Sequence, residues 1–215
     1  MTDSNNSYAG IADMPVSEFW SIGKDEFPSQ GAQKQGPNRY YNSSKVMSSA
    51  SHIYGKSVTG SEAWTSDREW GDHPFTLKAL GDKMFCNGVN QMIGHLSAHQ
   101  PYENMIPGLT HRKYGMHFNR FNTWWPYSRP WFDYLSRCQF MLQQGEFVAD
   151  VIYWFGEGSP INVNDMDFQM PEGYDFDYTS TEIVKQIQVK DGNIVLPSGM
   201  RYKYLLLPDH SESCA

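Results

Sequence analysis

The chain has 215 residues, a formal charge of -7 and a 15% aromatic share that includes 7 Trp and 13 Tyr. The acidic balance argues against nucleic acid, which selects a basic face, and the 40% apolar share supports a packed core rather than disorder. No apolar run reaches the length of a membrane span, and MTDSNNSYAG lacks the basic start and apolar centre of an export signal. The expectation is therefore no membrane partner and no export signal on this chain, with its location left unknown.

In chain order, Ile11 to Phe19 reads as a short strand with Glu18 at its end, and Ser29 to Asn38 as a Gly/Gln/Pro/Asn loop. Tyr41 to Tyr54 is helical, with Val46, Ala50 and Ile53 on one side and Gly55 as C-cap. Ser57 to Ala63 returns as a strand. His73 to Asn87 is a helix: Pro74 stands near its start, Leu77, Leu80 and Met84 form a stripe, and Gly88 stops it. Val89 to Ile93 is the next strand, and Gly115 to Asn119 can begin another. Arg129 to Gln144 is a strong helix with Trp131, Leu135, Cys138 and Leu142 as its stripe. Phe147 to Phe155 is an apolar strand expected to be buried on both faces. A polar stretch, Gly156 to Gly173, precedes a short helix, Thr181 to Ile187. Gly192 to Leu196 and Tyr202 to Leu207 then form strands around a Pro197–Gly199 turn.

Strands starting about thirty residues apart with helices between them have the rhythm of βα units, which favours a parallel sheet. Four such units make half of an eight-stranded barrel. The predicted fold is α/β: residues 1–127 as a partial (β/α) barrel of the TIM type, then residues 128–215 as a helix and part of a second α/β domain. The boundary falls between Asn122 and Glu146. Cys86, Cys138 and Cys214 are odd in number and far apart, so no disulfide framework is expected. Cys86 and Cys138 are read as small buried hydrophobes on apolar helix faces.

The stretch from Gly94 to Trp125 concentrates chemistry: His95, His99, Gln100, His111, Arg112, His117, Asn119, Arg120, Asn122, Trp124 and Trp125. Its apolar residues keep no helical spacing, so it reads as a loop after a strand. Rings beside amides and forked donors suit a sugar, whose C–H faces pack on indoles while its hydroxyls need donors and acceptors. A structural loop with buried aromatics is the equal rival. Glu18 (in SEFW) and Glu62 (in SEAWT) stand at predicted strand ends beside rings such as Trp64. Barrel enzymes place catalytic groups there, and two carboxyls are the minimum for cleaving a glycosidic bond. Against that stands a capping role for each glutamate. His95 and His99, with His117, suggest a metal site, but Pro101 follows closely and no HExxH occurs, so hydroxyl binding is favoured. GxSxG and phosphate-cradling glycine loops are absent. Asp133 is read as solvated or paired, and Asp175 and Asp177 as turn or capping residues.

The ordered series SEFW, ASHIYGK, GSEAWTS, HPFTLKALGDKMFCNGVN, AHQPY, GMHFNRFNTWW, PWFDYLSRCQFMLQQGEFVADVIYWFGE, YDFDY and VKDGNIVLPSGMRYKYLLLPD resembles the large bacterial α-L-rhamnosidase-type glycoside hydrolases of family 106. The resemblance runs from Ile11 to Asp209, and HLS at 95–97 departs from the HRY expected there. It implies a β/α barrel with β-sandwich accessory domains and exo-cleavage of α-L-rhamnosides. Two glutamates with inversion, calcium in the site of some members, and an exported parent protein are also implied. On it the chain is a central slice, the C-terminal half of the barrel and the start of the next domain. Glu62 is then the first choice as water-activating base and Glu18 the second carboxylate. His95, His99, Gln100, Asn119, Asn122, Trp124 and Trp64 become sugar contacts, and a rhamnose-containing glycan or glycoside the partner. A catalytically inactive carbohydrate-binding or structural remnant is the alternative, and a metal-dependent hydrolase on the three histidines a third.

Overall fold

The computed structural model describes residues 9–21, 38–66, 68–111, 114, 118–156 and 170–207. Strand β2 (Gly60–Ser66) and strand β3 (Gln91–Gly94) pair in parallel, from Gly60↔Gln91 to Ala63↔Gly94. Helix α2 (Pro74–Cys86) joins them, after α1 (Asn38–Ile53) earlier in the chain. Pro74 suits the first turn of α2, where its missing N–H is unneeded, and Thr76 Oγ1 accepts the His73 N–H at 3.1 Å. Leu77, Gly81 and Met84 are the buried stripe of α2. Gly88 ends the helix at φ +91°, letting Val89 N–H bond back to Met84 O at 3.1 Å.

Strand β1 (Val16–Ser21) lies on the other side of β2, giving the order β1-β2-β3. It starts later than the expected Ile11, because residues 9–11 are helical and Pro15 directly precedes the strand. Helix α3 (Arg129–Leu142) brings Trp131 and Leu135 into one core with Phe19, Ala63, Trp64, Leu77, Met84 and Val89. Of the rest of its expected stripe, Leu142 is turned outward at 46% exposed. The polar flank of α3 covers the outer edge of β3: Gln139 Oε1 accepts Met92 N–H at 2.6 Å and Gln143 Nε2 donates to Asn90 O at 2.7 Å. Two glutamines one turn apart thus stand where another strand would bond. Cys86 is exposed, contrary to expectation. It sits two residues past Met84, about 200° around the helix from the buried stripe. Cys138 is half-buried.

Packing divides the chain into two compact units, Ser17–Ser44 with Gly60–Gln144, and Met1–Val16 with Lys45–Thr59 and Gly145–Ala215. The division follows packing more than chain order, so α3 belongs with the first sheet. In the other unit β4 (Val151–Trp154), β5 (Phe176–Thr179) and β9 (Tyr204–Leu206) form a parallel sheet ordered β5-β4-β9. All four residues of β4 are buried, though the strand is shorter than the apolar run that announced it. After α4 (Thr181–Val184), strands β6 (Gln188–Lys190), β7 (Asn193–Val195) and β8 (Arg201–Tyr202) form a small antiparallel sheet. The core here is Ile53, Ala149, Ile152, Ile183, Leu196 and Tyr202, with Val46, Tyr153, Phe155 and Tyr178 as a second cluster. The chain is therefore α/β with parallel sheets. Of the strand expected from Gly115, residues 115–117 lie outside the described ones. Among described residues no helix is long and apolar enough to cross a membrane.

Candidate active site

Alternation along β1 buries Ser17, Phe19 and Ser21 and leaves Glu18 and Trp20 half-exposed. Ser17 Oγ lies 2.9 Å from Ser61 Oγ on β2, so the two serines share one face. Their neighbours Glu18 and Glu62 consequently share the opposite face of adjacent strands. Both glutamates stand third in their strands, earlier than the strand-end positions expected, because β1 runs on to Ser21 and β2 to Ser66.

Glu62 is held by one oxygen. Thr65 Oγ1 donates to Oε1 at 3.3 Å, and His95 Nε2 lies 3.6 Å from that same atom. Oε2 has no hydrogen bond or ion pair among the described residues, and the side chain is 44% exposed. His95 reaches this place because it continues the β3 ladder, its N–H bonding to Ala63 O at 3.0 Å. From there ring contacts run onward. His111 lies edge-on to His95 with centroids 6.2 Å apart, Tyr114 is 6.5 Å from His111, and Trp20 is 5.6 Å from Tyr114. Trp20 Nε1–H donates to Glu18 Oε1. A continuous run of polar and aromatic groups therefore links one carboxylate to the other.

Trp64, expected as a sugar platform, is a core residue and only 2% exposed. Its Nε1–H donates to Leu77 O at 3.2 Å, and its ring packs against Phe19 at 5.7 Å and Trp131 at 5.8 Å. Gly81 makes room for it, since a Cβ there would meet Trp64 Cζ2 at 3.0 Å. The Trp64 backbone takes φ +61°, a left-handed conformation that costs a bulky residue about 1–3 kcal/mol. The bulge replaces alternation, and Ala63 and Trp64 are buried in succession.

The remaining expected contacts divide. Asn119 and Asn122 are buried and build consecutive turns: Asn119 Oδ1 accepts Phe121 N–H at 2.9 Å, and Asn122 N–H bonds to Asn119 O at 3.1 Å. Trp124 Nε1–H donates to Asp72 O at 3.2 Å. Gln100 Nε2 donates to Pro107 O at 2.9 Å inside its own loop, while His99 is exposed and bridges Leu109. Arg112 and His117 lie outside the described residues. Sequence reasoning missed Thr65, Tyr114 and Asp72. Asp72 is fully buried and receives Ser66 Oγ at 2.6 Å and Thr76 Oγ1 at 3.2 Å, with Arg68 at 3.2 Å. The available signal was an acid two residues before the proline that opens a helix.

Calcium takes six or more oxygen ligands. Among the described residues no group of three or more His, Cys, Asp or Glu is placed to hold a metal ion.

Two carboxylates on one sheet face, beside imidazoles and aromatic rings, are the equipment of the glycoside hydrolase class. Comparison with known proteins gives the family: the model Glyco_hydro_106, described as alpha-L-rhamnosidase, matches residues 2–215, and the chain belongs to that family. A protein of Formosa agariphila named "Putative beta-glucuronidase" is 37% identical over 209 residues, which are 95% of this chain and 16% of that protein. A solved structure, the rhamnosidase from Novosphingobium sp. PP1Y, superposes with a TM-score of 0.83 at 31% identity, over 94% of this chain and 19% of that one. The chain thus spans less than a fifth of the length of either relative.

Proposed function

We propose that this chain forms part of a glycosidase site that removes terminal α-L-rhamnosyl residues from glycans or glycosides with inversion. In this reading β1 to β3 and their helices belong to the C-terminal half of a (β/α)8 barrel, and part of a second α/β domain follows. Glu62 is the base that draws a proton from water, and Glu18 is the second carboxylate, acting on the leaving oxygen from the opposite ring face. The observation that carries the proposal is the half-exposed Glu62, tethered through Oε1 among the described residues, on the sheet face it shares with Glu18. His95, His111 and Trp20 line that face as hydroxyl partners and a ring surface.

The test is hydrolysis of an aryl α-L-rhamnoside by the purified chain, followed by proton NMR. The proposal expects β-L-rhamnose as the first product. First release of the α-anomer would overturn inversion. A folded chain that binds rhamnose without turnover would make it a binding remnant.

A further inference from the structure

Thr65 and Glu62 are three residues apart on β2, yet their side chains meet at 3.3 Å. In a regular strand that is not available. Successive side chains alternate faces, and residues i and i+3 point to opposite sides about 10 Å apart along the strand. The contact exists because Trp64 between them adopts φ +61°. That single left-handed residue interrupts the alternation of the strand and lets Thr65 meet Glu62. The bulge is fastened from the core side by the indole hydrogen bond to Leu77 O, the notch at Gly81 and the edge of Phe19.

We infer that Thr65 is a positioning residue for Glu62 and that the Trp64 bulge is what delivers it. This rests on the proposal that Glu62 activates water. The hydroxyl of Thr65 and the imidazole of His95 both address Oε1. The Thr65 bond restrains the carboxylate at Oε1 beside the His95 ring and leaves Oε2 with no hydrogen bond among the described residues, available to receive the proton of a water. A mobile carboxylate would spend most of its time misaligned, and a displacement of about 1 Å at a reacting group costs on the order of a hundredfold in rate. A side chain only 2% exposed in Thr65 is well placed for such a tether, since water does not compete for its hydroxyl.

Thr65→Val removes the hydroxyl and keeps the shape, while Thr65→Ser restores it. The inference expects kcat for an aryl α-L-rhamnoside to fall about 10- to 100-fold in the Val variant with KM within about twofold, and the Ser variant to stay within about threefold of wild type. Crystal structures of the wild-type chain and the Val variant supply a readout independent of turnover. Glu62 should hold one orientation in the first and rotate away in the second. Unchanged kcat in the Val variant, equal losses in Val and Ser, or a Glu62 carboxylate that keeps its place without the hydroxyl would each overturn the inference. Should the wild-type chain lack turnover, the catalytic reading fails for this chain, and the positioning role is decided by the two crystal structures.

Discussion

Each of the two parallel sheets carries an acid within a strand, and the two acids are treated in opposite ways. Asp177 on β5 is fully buried with both oxygens engaged: Oδ1 lies 2.9 Å from His52 Nδ1 and Oδ2 accepts the Tyr202 hydroxyl at 2.8 Å. His52 is itself clamped, stacked on Phe147 at a centroid distance of 4.2 Å. Glu62 on β2 is 44% exposed and tethered through one oxygen. A fully buried carboxylate with a partner on each oxygen holds the fold together and is closed to a substrate. One held at a single oxygen is oriented and still free to react. The difference lies in saturation, not in residue type or strand position.

The comparison can be broken from the saturated side first. Asp177→Ala strands the His52 ring and the Tyr202 hydroxyl inside the core, and urea unfolding should show a loss of about 3–5 kcal/mol, the range for removing one partner of a buried polar pair. Tyr202→Phe takes away one hydrogen bond to a charged acceptor and should cost about 1.5–3 kcal/mol. It also carries a pH signature. Burial first, then the neighbouring Asp177 charge, raises the Tyr202 phenol far above its ordinary range, and burial raises Tyr178 to about 12. A raised phenol pKa means the folded state holds its proton more tightly than the unfolded one. The stabilisation is complete below about pH 10 and drains away as pH climbs past it. Alkaline unfolding of wild type should therefore steepen above about pH 10, and Tyr202→Phe should flatten that dependence. A phenylalanine variant with the wild-type alkaline slope would contradict the assignment.

A smaller effect sharpens the other sheet. Gln139→Ala uncovers Met92 N–H on the edge of β3 and should cost about 1 kcal/mol, with hydrogen exchange at that amide accelerating while the Ala63-bonded His95 amide stays protected. Equal exchange at Met92 in both proteins would mean that α3 does not guard the edge.

How much of this was legible in the sequence depends on the range of the interactions. Local signals held: Pro74 and Gly88 bracket α2, Leu77 and Met84 of its stripe are buried, and β2 and β3 overlap the strands expected at 57–63 and 89–93. Asp133 is paired as expected, with Arg129 Nε 2.7 Å away. Non-local facts were hidden. YDFDY reads as a turn because Asp favours turns, but Asp177 is paid back by His52 and Tyr202, residues far off in the chain. Trp64 looks like a sugar platform in GSEAWTS because a period-two reading has no term for a left-handed residue within a strand. The same bulge hid Thr65. For the candidate site, the sequence pointed to both glutamates and to His95, while Tyr114 and Asp72 matter only through partners that folding supplies.

The central claim is that Glu62 is the reactive carboxylate and Asp177 the structural one. Its most direct measurement is the initial rate of aryl α-L-rhamnoside hydrolysis by the wild-type chain and by Glu62→Gln, with urea unfolding recorded on both. The account predicts a fall in kcat of about 10²–10⁴ with stability unchanged within about 0.5 kcal/mol. A Glu62→Gln protein that turns over at the wild-type rate, or that loses activity only because it unfolds, would contradict it.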